Sequence, residues 1–387
     1  MVLSRNPLFK LALVGLTLFF RKANHVRSSS VDTEEIFKID VFHLIDNKLW
    51  GETDGSFLQG RINCPKQWNR SVECTFHSSD KEDNFVNVLK EKYLKVMTGY
   101  GGCRRTLQVS LYNIHSWARL SPFPHYPSCD LPLALTMVES EESHRRFKKL
   151  FDGSFPQFHG NSTTNPLSTI QRFYLRQLDM TLLLPPKLFR DAISGASFVA
   201  STCHKGGGTT NREGIVRAIS ERLRVDSLGK CMKTVRKDVI ELKGGRTAEE
   251  SLVLKQEAIS QYLFYLAFEN TDEPGYVTEK INDALIAGTV PVYLGDSVSC
   301  KKLLPHPKAA IFVDDFSSIH ELSDYLLYLA SNMTAYEEHR AWRTNIEYER
   351  LPTHFNTPWP CAVCFWALRT ATDRNMRRQH AKKPMCT

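Results

Sequence analysis

Lys280 follows Thr278 and Glu279 at what reads as the start of a helix, downstream of Phe268-Glu269-Asn270-Thr271 and Tyr276-Val277. A helix N-terminus carries unpaired N–H groups and the positive end of the macrodipole, so a cation in the first turn is unfavourable unless an anion sits there too. A bound phosphate would meet that need. A second strand-to-helix turn has the same character. Gly206-Gly207-Gly208 lets backbone approach a phosphate closely, and Arg212 follows Asn211, a candidate helix cap. Arg212 could grip a phosphate bidentately while Lys280 adds a second charge. There is no GxxxxGK[ST] run, so this is not a Walker loop. The competing view makes both residues solvated surface cations of an ordinary α/β domain, and their parallel placement argues against it.

Positioning these turns requires alternating strands and helices. Ser197–Thr202 and Leu263–Phe268 read as strands, as do Val290–Leu294 and Ile311–Val313, with helices from Asn211 to about Arg224 and over Thr278–Ala287. Such alternation predicts a parallel sheet with covering helices, which binds ligands beyond the carboxyl ends of its strands. Residues 36–188 are less regular. Short apolar strands at Leu107–Tyr112 and Leu133–Val138 flank a turn region rich in proline (Pro122, Pro124, Pro127), and the polar stretch Pro156–Ser168 reads as a surface loop.

The chain has 387 residues, 42% hydrophobic and 11% aromatic, which predicts two ordinary cores and excludes wholesale disorder. Its formal charge of +8 favours anionic partners, but the charge is scattered and no recognition motif accompanies it, which argues against nucleic acid. After a short tail over 1–7, residues 8–22 hold the apolar run Leu11–Phe20, short for a spanning helix and without a small-x-small cleavage pattern after it. An uncleaved signal anchor is the expectation, with a cleaved signal peptide as the alternative. Flanking charges leave its orientation open, and residues 23–35 read as a polar stem.

Sequons at Asn69, Asn161 and Asn332 lie downstream of that run and are candidate glycosylation sites in a secretory lumen. The 10 cysteines read there as a partial disulfide set, with Cys361 and Cys364 as candidates. Cys361, Cys364, His380 and Cys386 could instead ligate zinc. Asp314-Asp315 follows a strand and suits a turn, so no metal is expected there.

The run from Phe268-Glu269-Asn270-Thr271 through Tyr276, Thr278-Glu279-Lys280, Ala284, Gly288 and Val290-Pro291-Val292 to Gly295 resembles the signature of the α1,3/4-fucosyltransferases. Val313-Asp314-Asp315-Phe316 and Val225-Asp226-x2-Gly229-Lys230-Cys231 are also similar to that family, with Leu228 where it usually has Tyr. The likeness runs from about residue 105 to 365. Before 197 it is thinner: Met137-Val138-Glu139-Ser140 resembles the segment with the family's catalytic glutamate, with Glu141 for the usual Pro. Tyr174-x-Arg176-x2-Asp179 resembles a second motif, with Gln177 and Leu178 replacing its Asp and Ser.

The resemblance implies an α/β fold of the GT-B type, two Rossmann-like domains facing a cleft. An acceptor domain would cover 36–188, a nucleotide-sugar domain 189–360 and a cysteine-containing tail 361–387. It implies GDP-fucose as donor, with no further cofactor. Arg212 and Lys280 would hold the pyrophosphate, Glu279 the ribose, and Asn270 and Tyr276 would shape the donor site. Glu139 would be the base, a role that its place after a strand-like apolar run suits. Glu141 and Glu142 compete for it. His115 and Trp117 would influence the choice of glycan acceptor, an N-glycan core or a lactosamine antenna, although Trp117 equally suits a buried structural role. The implied whole is a single-pass type II Golgi membrane enzyme with its catalytic part in the lumen, inverting at the anomeric carbon. The alternatives are a catalytically silent homologue that binds glycans or serves as a scaffold, and an enzyme using another nucleotide sugar.

Overall fold

In the computed structural model, residues 36–45, 60–67, 70–79, 106–113, 133–136, 140, 160–170, 172–175, 178, 180–201, 203, 210–234, 238, 242, 245, 247–344 and 359–372 are described. The anchor and stem lie outside them, as do Asn69, His115, Trp117, Glu139 and the triple glycine. Among the described residues no helix is long and apolar enough to cross a membrane. Ile36–Thr387 form one compact unit.

The strand with the most apolar sequence organises the larger core. β9 (Tyr262–Phe268, YLFYLAF) is buried at all seven positions, the signature of a strand covered on both faces. Phe264, Leu266 and Phe268 join one cluster and Tyr265 and Ala267 the other, as the two-residue period of a strand requires. β7 (Ile193–Phe198) lies on one side of β9, with β8 (Val225–Ser227) beyond it. β10 (Val290–Leu294) and β11 (Ile311–Phe312) lie on the other, in the order β11-β10-β9-β7-β8 with all pairs parallel. Pro291 has no N–H to give a ladder, and β11 pairs with β10 only at Val292 and Tyr293.

Helices α1 (Arg212–Ser220), α2 (Ala248–Ile259), α3 (Glu279–Ala287), α4 (Ser297–Leu303), α5 (Ile319–Ser331) and α6 (Met333–Glu338) accompany this sheet. α1 and α5 bury Val216, Ile219, Leu322 and Leu326 against one face, while α3 buries Ile281, Ala284 and Leu285 against the other. α3 ends where the sequence calls for it: Gly288 sits in the left-handed region at φ 77° and returns its N–H to Ala284 O at 3.0 Å. Strand β7 begins four residues earlier than the pattern suggests, at Ile193, and α1 stops at Ser220.

The first part of the chain is more regular than its sequence suggests. β1 (Ile36–Ile45) runs parallel to β3 (Arg70–Ser79) and β4 (Thr106–Asn113), β2 (Gly60–Gln67) pairs antiparallel with β3, and β5 (Leu133–Thr136) and β6 (Gly160–Ser162) extend the far side in parallel. Two expectations are corrected here. The polar stretch from 156 to 168 contributes β6, and Ser162, Thr163 and Thr164 are buried. Their hydroxyls make this possible, because Thr163 Oγ1 bonds Ser168 Oγ at 2.5 Å and Ser162 Oγ accepts from Trp359 Nε1 at 2.9 Å.

The supposed tail from 361 instead begins within helix α7 (Trp359–Thr372), whose Val363, Phe365 and Trp366 are buried in a cluster with Val72, Ala134 and Ile170. Gly160 is necessary at that contact, since a Cβ there would lie 2.9 Å from the Trp366 ring. Disulfides join Cys64 to Cys361 and Cys74 to Cys364, and a third joins Cys203 to Cys231. The sulfurs of Cys64, Cys74 and Cys364 lie within 4.8 Å of one another. Of the four residues considered for zinc, Cys361 and Cys364 are thus spent in disulfides, and His380 and Cys386 lie outside the described residues.

Candidate active site

β7 and β9 are neighbours, so the helices that follow them, α1 and α3, begin at adjacent strand ends. Asn211 caps α1, accepting from Gly214 N at 3.1 Å. Thr210 anchors the turn before it to the end of β9, its Oγ1 donating to Glu269 O at 2.6 Å and its N to Asn270 O at 3.2 Å. Arg212 is thereby brought within electrostatic reach of Glu269 and Tyr276, and burial lowers its pKa.

The anion that Lys280 requires turns out to be internal. Glu269 is fully buried, and its Oε2 lies 3.0 Å from Lys280 Nζ. Glu269 Oε1 accepts from Thr278 N at 2.7 Å and Thr278 Oγ1 at 2.9 Å. Thr278 precedes α3 but does not cap it with its side chain, which serves Glu269 and Lys280 instead. Gly295, at φ 143°, covers the carboxylate so closely that a Cβ would stand 2.9 Å from Glu269 Cγ. Burial pushes the Glu269 carboxyl up and Lys280 opposes the shift, while Glu269 and Glu279 together hold the Lys280 ammonium above its ordinary value despite its own burial.

The charge pattern continues along α3. Glu279 Oε1 lies 3.7 Å from Lys280 Nζ and 3.9 Å from Lys255 Nζ, and Lys255 reaches Asp283 at 2.5 Å. Gln256 Nε2 donates to Asp283 Oδ1 at 3.0 Å. The Glu279 side chain is 42% exposed, with Oε2 itself shut off from solvent. Desolvation favours its neutral form, but Lys280 and Lys255 outweigh that and bring its pKa down to about 2. The site is therefore a ladder of alternating charge, Glu269, Lys280, Glu279, Lys255, Asp283, rising from a buried carboxylate toward solvent at Glu279.

At the end of β9, Asn270 Oδ1 and Thr271 Oγ1 are buried and find no hydrogen-bond partner among the described residues. Such acceptors are costly to bury unless a ligand or water completes them. Tyr276 is buried, its ring edge-on to Tyr174 at 6.0 Å. Arg212, Asn270, Tyr276, Glu279 and Lys280 are thus gathered around one pair of strand ends. Asn161 lies on β6, half-buried, its Oδ1 accepting from Thr169 N at 2.9 Å and Thr169 Oγ1 at 2.8 Å. Asn332 caps α6 through Ala335 N at 3.1 Å.

Three participants escape sequence reasoning. Glu269 is visible only as part of a run, without its burial. Lys255 belongs to a helix with no local signal of partnership. Glu273, in the gap between Thr271 and Tyr276, is buried and accepts from Ser140 Oγ at 2.5 Å.

The family model described as "Glycosyltransferase family 10 (fucosyltransferase) C-term" matches residues 193–382, the segment that carries β7, β9 and both helix starts. This segment belongs to glycosyltransferase family 10. The family 10 segment has curated relatives of more than one kind. Human α-(1,3)-fucosyltransferase 4 is 41% identical over 118 residues, 30% of this chain and 22% of that protein. α-(1,3)-Fucosyltransferase B of Drosophila melanogaster is 29% identical over 214 residues, 49% of this chain and 46% of that protein. Human GDP-fucose protein O-fucosyltransferase 3 is 34% identical over 195 residues, 49% of this chain and 39% of that protein. Each match thus spans less than half of the relative. A crystal structure of an α1,3-fucosyltransferase is 18% identical, covering 90% of this chain and 93% of that one at a TM-score of 0.48.

Proposed function

We propose that the chain transfers L-fucose from GDP-fucose, with inversion, to a hydroxyl of an N-acetylglucosamine in a glycan, in α1,3 linkage. The observation that carries this reading is the convergence of Arg212 and Lys280, with the unpartnered acceptors of Asn270 and Thr271, at the strand ends of a family 10 segment. Cleavage of the sugar–phosphate bond leaves negative charge on the departing GDP, and fixed cations stabilise that charge as it develops. Arg212 and Lys280 hold the diphosphate, Glu279 approaches the ribose, and Asn270 and Tyr276 shape the pocket. The acceptor hydroxyl must lose a proton as the sugar carbon passes through an oxocarbenium-like state, and Glu139 takes it.

In this reading the two sheets belong to two Rossmann-like domains of a GT-B architecture, the first serving the acceptor through His115 and Trp117 and the second the donor. The three disulfides among the described residues suit an oxidising compartment. That supports a luminal catalytic part behind an N-terminal anchor in the Golgi membrane, with Asn69, Asn161 and Asn332 as glycosylation sites.

A second reading changes the acceptor. Similarity to a protein O-fucosyltransferase extends over as much of the chain as similarity to the α-(1,3)-fucosyltransferases named above, and it supports a side-chain hydroxyl of a protein as acceptor. Incubation with labelled GDP-fucose and a panel of N-glycan cores, lactosamine glycans and folded protein domains separates the two by the product formed. GDP binding without transfer to any acceptor would instead favour a silent, glycan-binding homologue, and competition among nucleotide sugars checks the donor.

A further inference from the structure

Ser140 and Glu273, 133 residues apart in sequence, meet in a buried hydrogen bond. Ser140 is fully buried and Glu273 is 3% exposed, with Ser140 Oγ donating to Glu273 Oε2 at 2.5 Å. Each end has a significant neighbour. Ser140 is covalently joined to Glu139, and Glu273 belongs to the turn that leads from Asn270 to Thr278 and Lys280. That turn is also fixed where it stands: Glu273 O accepts from Tyr276 N at 3.0 Å and Gly275 N donates to Asp296 Oδ2 at 2.7 Å. Gly275, at φ 82°, lies so close to Thr164 O that a Cβ would be 2.0 Å away.

We propose that Glu273 is a positioning residue for transfer: by holding Ser140, the residue that follows the proposed base, it fixes that point of the chain against the turn that leads to Lys280. The inference rests on the fucosyl-transfer reading above. A base must come within hydrogen-bond reach of the acceptor hydroxyl while that oxygen stands in line with the sugar carbon, and small misplacements are costly. The base and the donor grip come from distant parts of the chain, so their separation depends on tethers between those parts. A short hydrogen bond shielded from water is a stiff one. Arg212 and Lys280 are organised separately, by Thr210, Thr278 and Glu269. Loss of the tether should therefore fall on turnover and spare donor affinity.

The test measures kcat, GDP affinity and thermal stability for wild type, Glu273→Ala, Glu273→Gln, Ser140→Ala and the Ser140→Ala/Glu273→Ala double variant. Glu273→Ala should lower kcat by about 10- to 100-fold, the scale of a positional error of about 1 Å. GDP affinity should stay within about twofold, the pattern of an interaction that matters only in the transition state. Glu273→Gln keeps an oxygen that can accept from Ser140 and should recover most of the activity. Ser140→Ala should resemble Glu273→Ala, and the double variant should be no worse than the poorer single one. An unchanged kcat in Glu273→Ala, a parallel loss of GDP affinity, or a Glu273→Gln as impaired as Glu273→Ala overturns the positioning role alone. A wild-type protein that binds GDP and transfers to no acceptor overturns the transfer reading and this role with it.

Discussion

Glu269 alters what removal of Lys280 does. On sequence alone, Lys280→Met looks like a substitution that weakens GDP binding and leaves the domain intact. With a fully buried carboxylate 3.0 Å from the ammonium, the same change strips a buried anion of its cation and should cost about 3–5 kcal/mol of stability. The Glu269 carboxyl already sits above its usual range through burial, and losing Lys280 pushes it further up. A group whose folded pKa is raised binds protons more readily in the native state, so stability falls as pH rises through that pKa. The deficit of Lys280→Met should therefore be largest on the alkaline side and shrink on acidification toward the ordinary carboxyl range, as urea unfolding across pH will measure. Lys280→Met/Glu269→Gln should regain most of the stability yet still bind GDP weakly. A single variant as stable as wild type at neutral pH would contradict this account. Residue spacing made Arg212 and Lys280 legible because a cation at a helix start is a local anomaly, whereas Asn270 entered only through the family resemblance. Glu269, Lys255 and Glu273 were illegible because their significance lies in burial and in partners distant in sequence.

Among the elements, the strands and helices beside the site were the most legible, since β9 is apolar and buried at every position and α3 has a defined stop at Gly288. α3 differs from Thr278–Ala287 by a single residue, with Thr278 as its N-cap. The errors fell where polar residues are buried by mutual hydrogen bonding, as in β6, or where an element depends on distant partners, as α7 depends on the first sheet. Composition records polarity, but it is silent about which hydroxyls find each other. The turn from Glu273 to Tyr276 supplies a prediction at this scale. Gly275→Ala places a Cβ against Thr164 O and forces alanine to φ 82°, which should cost at least ~2 kcal/mol. Because this turn carries the Ser140 contact, transfer should fall further than GDP affinity, and parallel calorimetry and turnover measurements check both. Equal losses in the two would show that the turn acts on the fold as a whole.

For the whole molecule, the largest departure from the sequence reading is that the last described helix completes the first sheet. Cys64–Cys361 and Cys74–Cys364 cross-link that arrangement with sequence separations of 297 and 290 residues. Sequence alone indicates that cysteines at the end are candidates for bridging but cannot show their partners, because pairing is set by the fold. Cys74→Ser/Cys364→Ser should lower stability by about 2–5 kcal/mol under oxidising conditions. The variant should converge toward wild type when both are unfolded in the presence of a reductant, and an undiminished gap there would trace the loss to packing. The same connection constrains biosynthesis. Strands β2 and β3 carry Cys64 and Cys74, and their partners are made 297 and 290 residues later. At about 5–20 residues per second that interval is roughly 15–60 s. During it the nascent protein presents two thiols with no native partner yet made, so correct oxidation must wait until Cys361 and Cys364 have been made, and any premature bridge has to be undone before these pairs can form.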